Sequence, residues 1–152
     1  MPKTISKDTP LSELTLRRYE KPNLQGRDLV RKLCLSIGLL QPGDSRDIIV
    51  DILHLMLKEK KELNCEEIRE KVITLRKNKN LPLLGVASSN IRRQLKRLRD
   101  VFLVEKVVNN YRLTENLSLA EIMQEKLEKF LLPSVFDRVK EYFRAVDKEF
   151  NK

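Results

Sequence analysis

The sequence contains few of the residues on which small cross-linked or catalytic domains depend. Among its 152 residues are two cysteines, Cys34 and Cys65, one histidine, His54, and no tryptophan. Without a Cys-x-x-Cys pair, this content argues against a disulfide framework and a structural zinc site. The single histidine nearly excludes Ser-His-Asp and Cys-His machinery, and no glycine-rich phosphate loop or paired acid motif is found. We therefore expect a protein that is not an enzyme, with no catalytic residues, no metal and no cofactor.

Long apolar runs are also missing. The start of the chain, Met-Pro-Lys-Thr-Ile, lacks the apolar core of a signal peptide. No apolar run approaches the roughly 18 residues that are needed to span a bilayer. We expect a cytoplasmic protein with no membrane partner.

Positive charge, in contrast, is abundant. The chain has 31 Lys and Arg against 22 Asp and Glu, a net charge of +9 with a pI near 9.7. Eight acids and seven bases lie from Glu115 onward, so residues 1–114 carry 24 bases and 14 acids, a net charge of +10. A field of this sign favours a polyanionic partner. Such a partner is expected to bind to residues that precede Glu115 in the sequence.

The spacing of apolar residues predicts a mainly α-helical chain with a small β-hairpin. Residues 1–26, which include three prolines, are interpreted as an N-terminal arm. A period of three and four residues predicts the helices, and β-branched and alternating residues predict two strands. Asn109-Asn110 suits the hairpin turn, and Pro133 is expected to break the chain between two final helices. The predicted helices are Arg27–Leu40, a second one capped by Asp44 or Ser45, Asn64–Arg76 and Ser88–Arg99, and the predicted strands are Val101–Val108 and Tyr111–Thr114. Asn64, with Glu67 three residues later, predicts a variant of the capping box for the third helix, and Ser88 or Ser89 is expected to cap the fourth.

The order of these elements predicts a winged helix-turn-helix core with extra N- and C-terminal helices. Helices followed by a two-stranded hairpin make up residues 27–115, which we interpret as a DNA-binding domain. Residues 116–152 are interpreted as a C-terminal helical extension for dimerisation.

One predicted helix, Ser88–Arg99, combines an apolar stripe with a basic face. At 100° per residue, Ile91, Leu95 and Leu98 point inward. The outward direction falls on Ser89, Arg93, Lys96 and Arg97, with Asn90 and Arg92 at the flanks. Arginine can pair with guanine and asparagine with adenine in the major groove, and a following hairpin can contact backbone or minor groove. The candidate DNA-binding residues are Ser89, Asn90, Arg92, Arg93, Lys96, Arg97, Lys106, Asn109, Asn110 and Arg112.

Three segments resemble archaeal winged helix-turn-helix transcription regulators. They are the run Ser88–Leu98, then Leu103-Val104-Glu105-Lys106, then Tyr111-Arg112-Leu113-Thr114-Glu115. The resemblance covers about Ser45 to Glu115, and it implies binding of DNA by residues 89–97 with assistance from the wing. One departure is the connection from Arg76 to Ser88, which at about eleven residues is far longer than the usual helix-turn-helix turn.

These features predict a sequence-specific double-stranded DNA-binding protein that regulates transcription. Helix 88–99 would read the major groove, and the wing 103–114 would touch the backbone or minor groove. An alternative is a winged helix that serves as a protein-interaction module in a transcription or replication assembly, for which outward bases are not required. RNA binding is disfavoured because few exposed aromatic residues are expected in the basic half.

The last predicted helix carries an unusually aromatic stripe, which points to a homodimer. Left exposed, such a stripe would exceed the apolar patch that soluble monomers usually tolerate. Pairing across a two-fold axis would bury it and bring two recognition helices to half-sites about one DNA turn apart. The alternative is that this helix folds back onto Arg27–Leu40 of its own chain. The stripe consists of Val135, Phe136, Val139, Tyr142, Phe143, Val146 and Phe150.

Overall fold

The structure, a computed structural model, describes residues 18–151. Most of the predicted N-terminal arm, residues 1–17, lies outside the described residues. The chain is mainly helical with a small antiparallel sheet, as the sequence predicts. Within residues 18–151, no helix is both long enough and apolar enough to cross a bilayer. The helices are α1 (Gly26–Ser36), α2 (Ile48–Glu59), α3 (Cys65–Asn78), α4 (Ser88–Asp100), α5 (Leu119–Ile122) and α6 (Leu132–Phe150), and the strands are β1 (Leu63–Asn64), β2 (Val104–Val107) and β3 (Asn110–Leu113).

The first two helices are shorter than their apolar patterns predict. Helix α1 ends at Ser36 because Gly38 adopts a φ of +75°, which turns the chain, and the Leu39 amide donates back to the Cys34 carbonyl. Leu40 is still buried, so its place in the apolar pattern reflects packing after the helix has ended. Helix α2 begins at Ile48, later than a cap at Asp44 or Ser45 would place it, because the preceding loop continues to Asp47.

Helix α3 begins as its sequence predicts, and α4 does not. The Asn64 side chain accepts from the Glu67 amide at 2.8 Å, and the Glu67 carboxylate accepts from the Asn64 amide at 3.0 Å. This reciprocal pair is a capping box. Helix α4 was expected to be capped by Ser88 or Ser89, but its N-cap is Ala87, and the Ser88 hydroxyl donates instead to Glu66 at 2.8 Å.

The sheet has three strands in the order β1-β3-β2, one more than the predicted hairpin. Strand β1 has only two residues, and Leu63 pairs with Tyr111. The hairpin turn lies one residue earlier than predicted. Val107 pairs with Asn110, so Val108 and Asn109 form the turn, and Val108 holds a φ of +58°.

The core is organised around α2, which is buried on nearly all sides. Eight of its twelve residues are buried, and α1, α3 and α4 pack against it. Ile91, Leu95 and Leu98 of α4 are fully buried, which confirms the predicted inward stripe. Ile122 and Leu127, from the start of the predicted C-terminal extension, also belong to this core.

Two arginines and two aspartates form an ion-pair cluster that was not predicted from the sequence, with Arg76 and Asp51 buried and Arg27 and Asp47 partly buried. Arg76 of α3 is 2% exposed and donates to Asp51 and Asp47. Arg27 of α1 donates to Asp51 at 2.8 Å and to Asp47 at 2.9 Å. Two positive and two negative charges balance, so each buried charge is paired, as the low-dielectric interior requires. The cluster ties α1, α2 and α3 together.

The C-terminal residues form one uninterrupted helical rod, so the predicted break at Pro133 is wrong. From Leu119 to Phe150 the chain passes through α5, a π-helical segment (Met123–Leu131) and α6, with helical backbone angles at Leu131 and Leu132. A proline ring clashes with the carbonyl four residues earlier in a regular α-helix. Here the wider turns of the π segment precede Pro133, which lies in the first turn of α6.

Helix α6 does not fold back onto α1. None of its residues is buried, and every residue from Pro133 to Phe150 is exposed. Its contacts with the π segment are those between successive turns of the same rod. The apolar stripe of α6 is therefore exposed in the single chain: Val135, Phe136, Val139, Tyr142, Phe143, Val146 and Phe150.

Candidate nucleic-acid interface

Helix α4 is held in place by its apolar stripe, which faces α2 and α3. The polar side chains of the helix are consequently distributed around its outer half. Four bases on this outer half are exposed. They lie on one flank of α4 and along its outermost line, opposite the apolar stripe, and we call this line the apex. They are Arg92, Arg93, Lys96 and Arg99, and we call them the basic row.

The long connection before α4 is fixed by three side chains that donate to its carbonyls. Arg76 donates to the Pro82 carbonyl at 2.7 Å, and Arg69 donates to the Val86 carbonyl at 2.8 Å. Asn90, from the first turn of α4, donates to the Gly85 carbonyl at 2.7 Å. Loop carbonyls that would otherwise need water are thus bound to α3 and α4. The start of α4 is positioned by these contacts despite the length of the loop.

Gly85 is required where it stands in this loop. Its φ is +76°, a conformation that L side chains rarely adopt. A Cβ at this position would lie 2.8 Å from the Asn90 side-chain nitrogen, which makes the hydrogen bond to the Gly85 carbonyl. The glycine therefore permits both the turn and the close approach of Asn90.

The structure separates the predicted residues of α4 into two groups. Ser89, Arg92, Arg93 and Lys96 are exposed, as expected for an outward face. Within this group, Arg93 donates to the Asn90 side-chain oxygen at 2.8 Å, and Lys96 pairs with Asp100 at 3.2 Å. Both contacts lie at the surface, where ion pairs and hydrogen bonds are weak enough to exchange for a phosphate or a base edge.

Arg97, which was predicted to point outward, and Asn90, which was predicted to lie at the flank of the outward face, are both bonded to other segments of the chain. The Arg97 guanidinium donates to the Leu39 carbonyl at 2.8 Å and to Gln94 at 2.9 Å, because the chain leaving α1 covers this flank of α4. The Asn90 amide is engaged with Gly85, Arg93 and Gln94. Both side chains brace α4. Arg99, which was not among the predicted DNA-binding residues, is exposed on the opposite flank of α4.

The hairpin likewise presents only part of its predicted set. Lys106 and Asn109 are exposed, and the Lys106 ammonium lies 5.9 Å from the Tyr111 ring centroid. Arg112 is half-buried and donates to Glu105, its cross-strand neighbour, at 2.6 Å. Asn110 lies in β3 because the turn is at Val108 and Asn109. Lys106 and Asn109 are therefore the hairpin residues best placed to reach a ligand.

A cleft of about 470 Å³ separates α4 from the hairpin. Lys96 and Arg99 line one wall and Lys106 lines the other, while Phe102 and Phe130 form apolar parts of the lining. The Phe102 and Phe130 rings lie 6.0 Å apart, which joins the rod to the turn after α4. Two members of the basic row, Lys96 and Arg99, and the hairpin residue Lys106 thus border one concave surface. Acidic side chains are also present there, at Asp100 and Glu105.

The cysteines are not poised for nucleophilic chemistry. Burial raises the pKa of the Cys34 thiol to about 12. Burial also raises the pKa of Cys65, which outweighs the opposing effect of the Arg92 charge. A reactive thiol requires the opposite shift. Over residues 18–151, His, Cys, Asp and Glu side chains form no group of three or more that could hold a metal ion.

Comparison of the chain with protein-family models, with curated proteins and with solved structures finds no match.

Proposed function

We propose that the chain is a sequence-specific double-stranded DNA-binding protein with a winged-helix core, acting in transcription regulation. The observation that carries this proposal is the basic row, four exposed bases on α4 beside a hairpin that carries Lys106. An α-helix fits the major groove of B-DNA, and arginines on its outer face can reach guanine edges. The neighbouring lysines would contact phosphates and fix the orientation of the helix on the duplex.

For two residues, Asn90 and Arg97, the proposed roles differ from those that the sequence suggested. Arg93 lies at the apex of α4 and is proposed to read a base. Arg92, Lys96, Arg99 and Lys106 are proposed to contact the backbone. Asn90 and Arg97 are proposed to act indirectly, by holding the helix against its loop and against the end of α1.

A binding experiment with matched charge removal tests the proposal. Duplexes are first selected from a random pool, and the affinity for a selected duplex is then measured by fluorescence anisotropy over a range of salt concentrations. The triple variant Arg92→Ala/Lys96→Ala/Arg99→Ala should bind weakly, with a salt slope reduced by about three units. The control Lys58→Ala/Lys77→Ala/Lys79→Ala removes the same charge from exposed positions on α2, on α3 and directly after α3, and should behave as wild type.

Three results would contradict the proposal. Equal losses in the triple variant and its control would mean that net charge, not the basic row, attracts DNA. Equal affinity of the wild-type protein for selected and random duplexes would remove sequence specificity. No binding even at low salt would favour the alternative of a protein-interaction module.

A further inference from the structure

Helix α6 exposes an apolar surface that is larger than soluble monomeric proteins usually show. The four aromatic residues of its stripe, Phe136, Tyr142, Phe143 and Phe150, are 61%, 63%, 72% and 79% exposed. Taking about 200 Å² for each aromatic side chain, they alone expose on the order of 550 Å². Soluble monomers rarely show a contiguous apolar patch of that size.

The charges beside the stripe are arranged by sign. At 100° per residue, Arg138 and Glu149 border one edge of the stripe, and Lys140 and Asp147 border the other. Both bases lie in the N-terminal half of α6, and both acids lie in its C-terminal half. The Arg138 guanidinium lies 5.1 Å from the Tyr142 ring centroid, which places it at the stripe.

We propose that α6 pairs with α6 of a second copy of this chain in antiparallel orientation. When two such helices cross at about residues 143–144, Arg138 of each meets Glu149 of the other, and Lys140 of each meets Asp147 of the other. A parallel arrangement would place bases against bases and acids against acids. Cross-helix pairs of this kind set the orientation of paired helices. The charge order therefore selects the antiparallel dimer.

The area that the pair would bury is sufficient for a specific dimer. Two stripes together would bury more than about 1,000 Å², the lower bound for a stable protein interface. A membrane surface fits α6 less well. An interfacial helix usually has a polar face rich in Lys and Arg, whereas α6 carries four acids and four bases. This inference does not depend on DNA binding, and its test uses no nucleic acid.

The test is the oligomeric state of the full chain, measured by sedimentation equilibrium. The wild-type protein should be dimeric at micromolar concentration. The variant Arg138→Glu/Lys140→Glu places four acids along the stripe and should raise the dimer dissociation constant at least about tenfold. The quadruple variant Arg138→Glu/Lys140→Glu/Asp147→Lys/Glu149→Lys reverses every flanking charge and should restore the dimer.

A matched control uses bases on the opposite side of α6. Arg144→Glu/Lys148→Glu changes the net charge by the same amount as the disrupting variant, but away from the stripe, and should leave the dimer intact. Because α6 contributes nothing to the core, all variants should keep the thermal stability of the domain. A monomeric wild-type protein would overturn the proposal. A dimer that responds equally to both double variants, or that the quadruple variant does not restore, would overturn the antiparallel pairing.

Discussion

At the scale of single residues, two arginines four positions apart on α4 have opposite surroundings. Arg93 is exposed at the apex of the helix, and Arg97 is bonded to the Leu39 carbonyl beneath the chain that leaves α1. Helical periodicity gives the angle of each side chain, but it does not show which distant segment passes over that angle. This is why the inward stripe could be predicted from the sequence and the role of Arg97 could not.

Substitution of these two arginines should therefore have different effects. Arg93→Ala should weaken binding to a selected duplex by about 1–3 kcal/mol without changing stability. Arg97→Ala should lower the free energy of unfolding by about 1.5–3 kcal/mol, because it removes a charged hydrogen bond, and should leave the salt slope unchanged. Urea unfolding and anisotropy titration of both variants check this. A salt slope lowered by about one unit in Arg97→Ala would place Arg97 on a phosphate instead.

Val108 holds a conformation that suits glycine better than a β-branched residue. Its φ is +58° at the hairpin turn, and its side chain is 86% exposed, so it gains little from packing. Val108→Gly should raise the free energy of unfolding by about 1 kcal/mol, because it relieves the backbone strain. Thermal denaturation of this variant is the measurement. Val107→Gly, one residue earlier in β2, is the control and should be destabilising, and a loss of stability in both variants would show that Val108 is unstrained.

At the scale of elements, the sequence predicted the central helices well and their ends less well. The capping box at Asn64 could be found because both partners lie within four residues. Three other features depend on hydrogen bonds or turn geometry that no local pattern records: the end of α1 at Ser36, the two-residue strand β1 and the passage of the rod through Pro133. One feature of the sequence indicates the cluster of Arg27, Asp47, Asp51 and Arg76. Asp51 lies inside the apolar run of α2, and an aspartate at such a position requires a buried partner.

The attachment of α4 to its loop can be tested by comparing substitutions at Gly85 and Gly43, which have similar positive φ angles. Gly85→Ala introduces a Cβ at positive φ that also clashes with Asn90, whereas Gly43→Ala introduces one at a φ of +85° with nothing within 4 Å. Both should be destabilised by the backbone conformation. Gly85→Ala should lose about 1 kcal/mol more through the broken hydrogen bond, and it should bind DNA more weakly because α4 shifts. Equal stability losses and unchanged DNA binding would show that the Asn90 contact does not position the helix.

At the scale of the whole molecule, stability should fall as the solution becomes acidic, first through His54. Burial, assisted by the nearby Lys58 and Lys79 charges, lowers the pKa of His54 below its ordinary value of 6.5. The unfolded chain therefore takes up this proton at a higher pH than the folded chain, and the free energy of unfolding decreases as the pH falls below 6.5. Urea unfolding at about pH 7.5 and about pH 5 should show this loss. His54→Gln should remove it, and a variant that keeps the full loss would assign the effect to another group.

A second loss of stability is expected at lower pH from the ion-pair cluster. Burial of Asp47 opposes ionisation, but the hydrogen bonds and charges of Arg27 and Arg76 together outweigh it and lower the pKa of this carboxyl below its ordinary value of 3.8. The stabilisation is fully present above that value and is lost as the pH falls through the folded-state pKa. Acid unfolding monitored by circular dichroism should show Asp47→Asn to be less sensitive to pH in this range than wild type. An identical acid transition in both proteins would exclude Asp47 as its cause.

Because the rod continues through Pro133, its length sets the distance between the two domains of the proposed dimer. If two copies cross at residues 143–144, the core residue Ile122 of each lies about 30 Å from the crossing point, slightly less than the α-helical rise of 1.5 Å per residue would give, because the wider π turns rise less per residue. The two domains would then lie about 60 Å apart, closer to two turns of B-DNA than to one. Given both proposals, paired recognition sites should be preferred at about 20 base pairs from centre to centre over about 10. Because the rod is continuous, each residue inserted between Ile122 and the stripe would rotate each domain about its rod as well as displace it, so that spacing and helical phase change together.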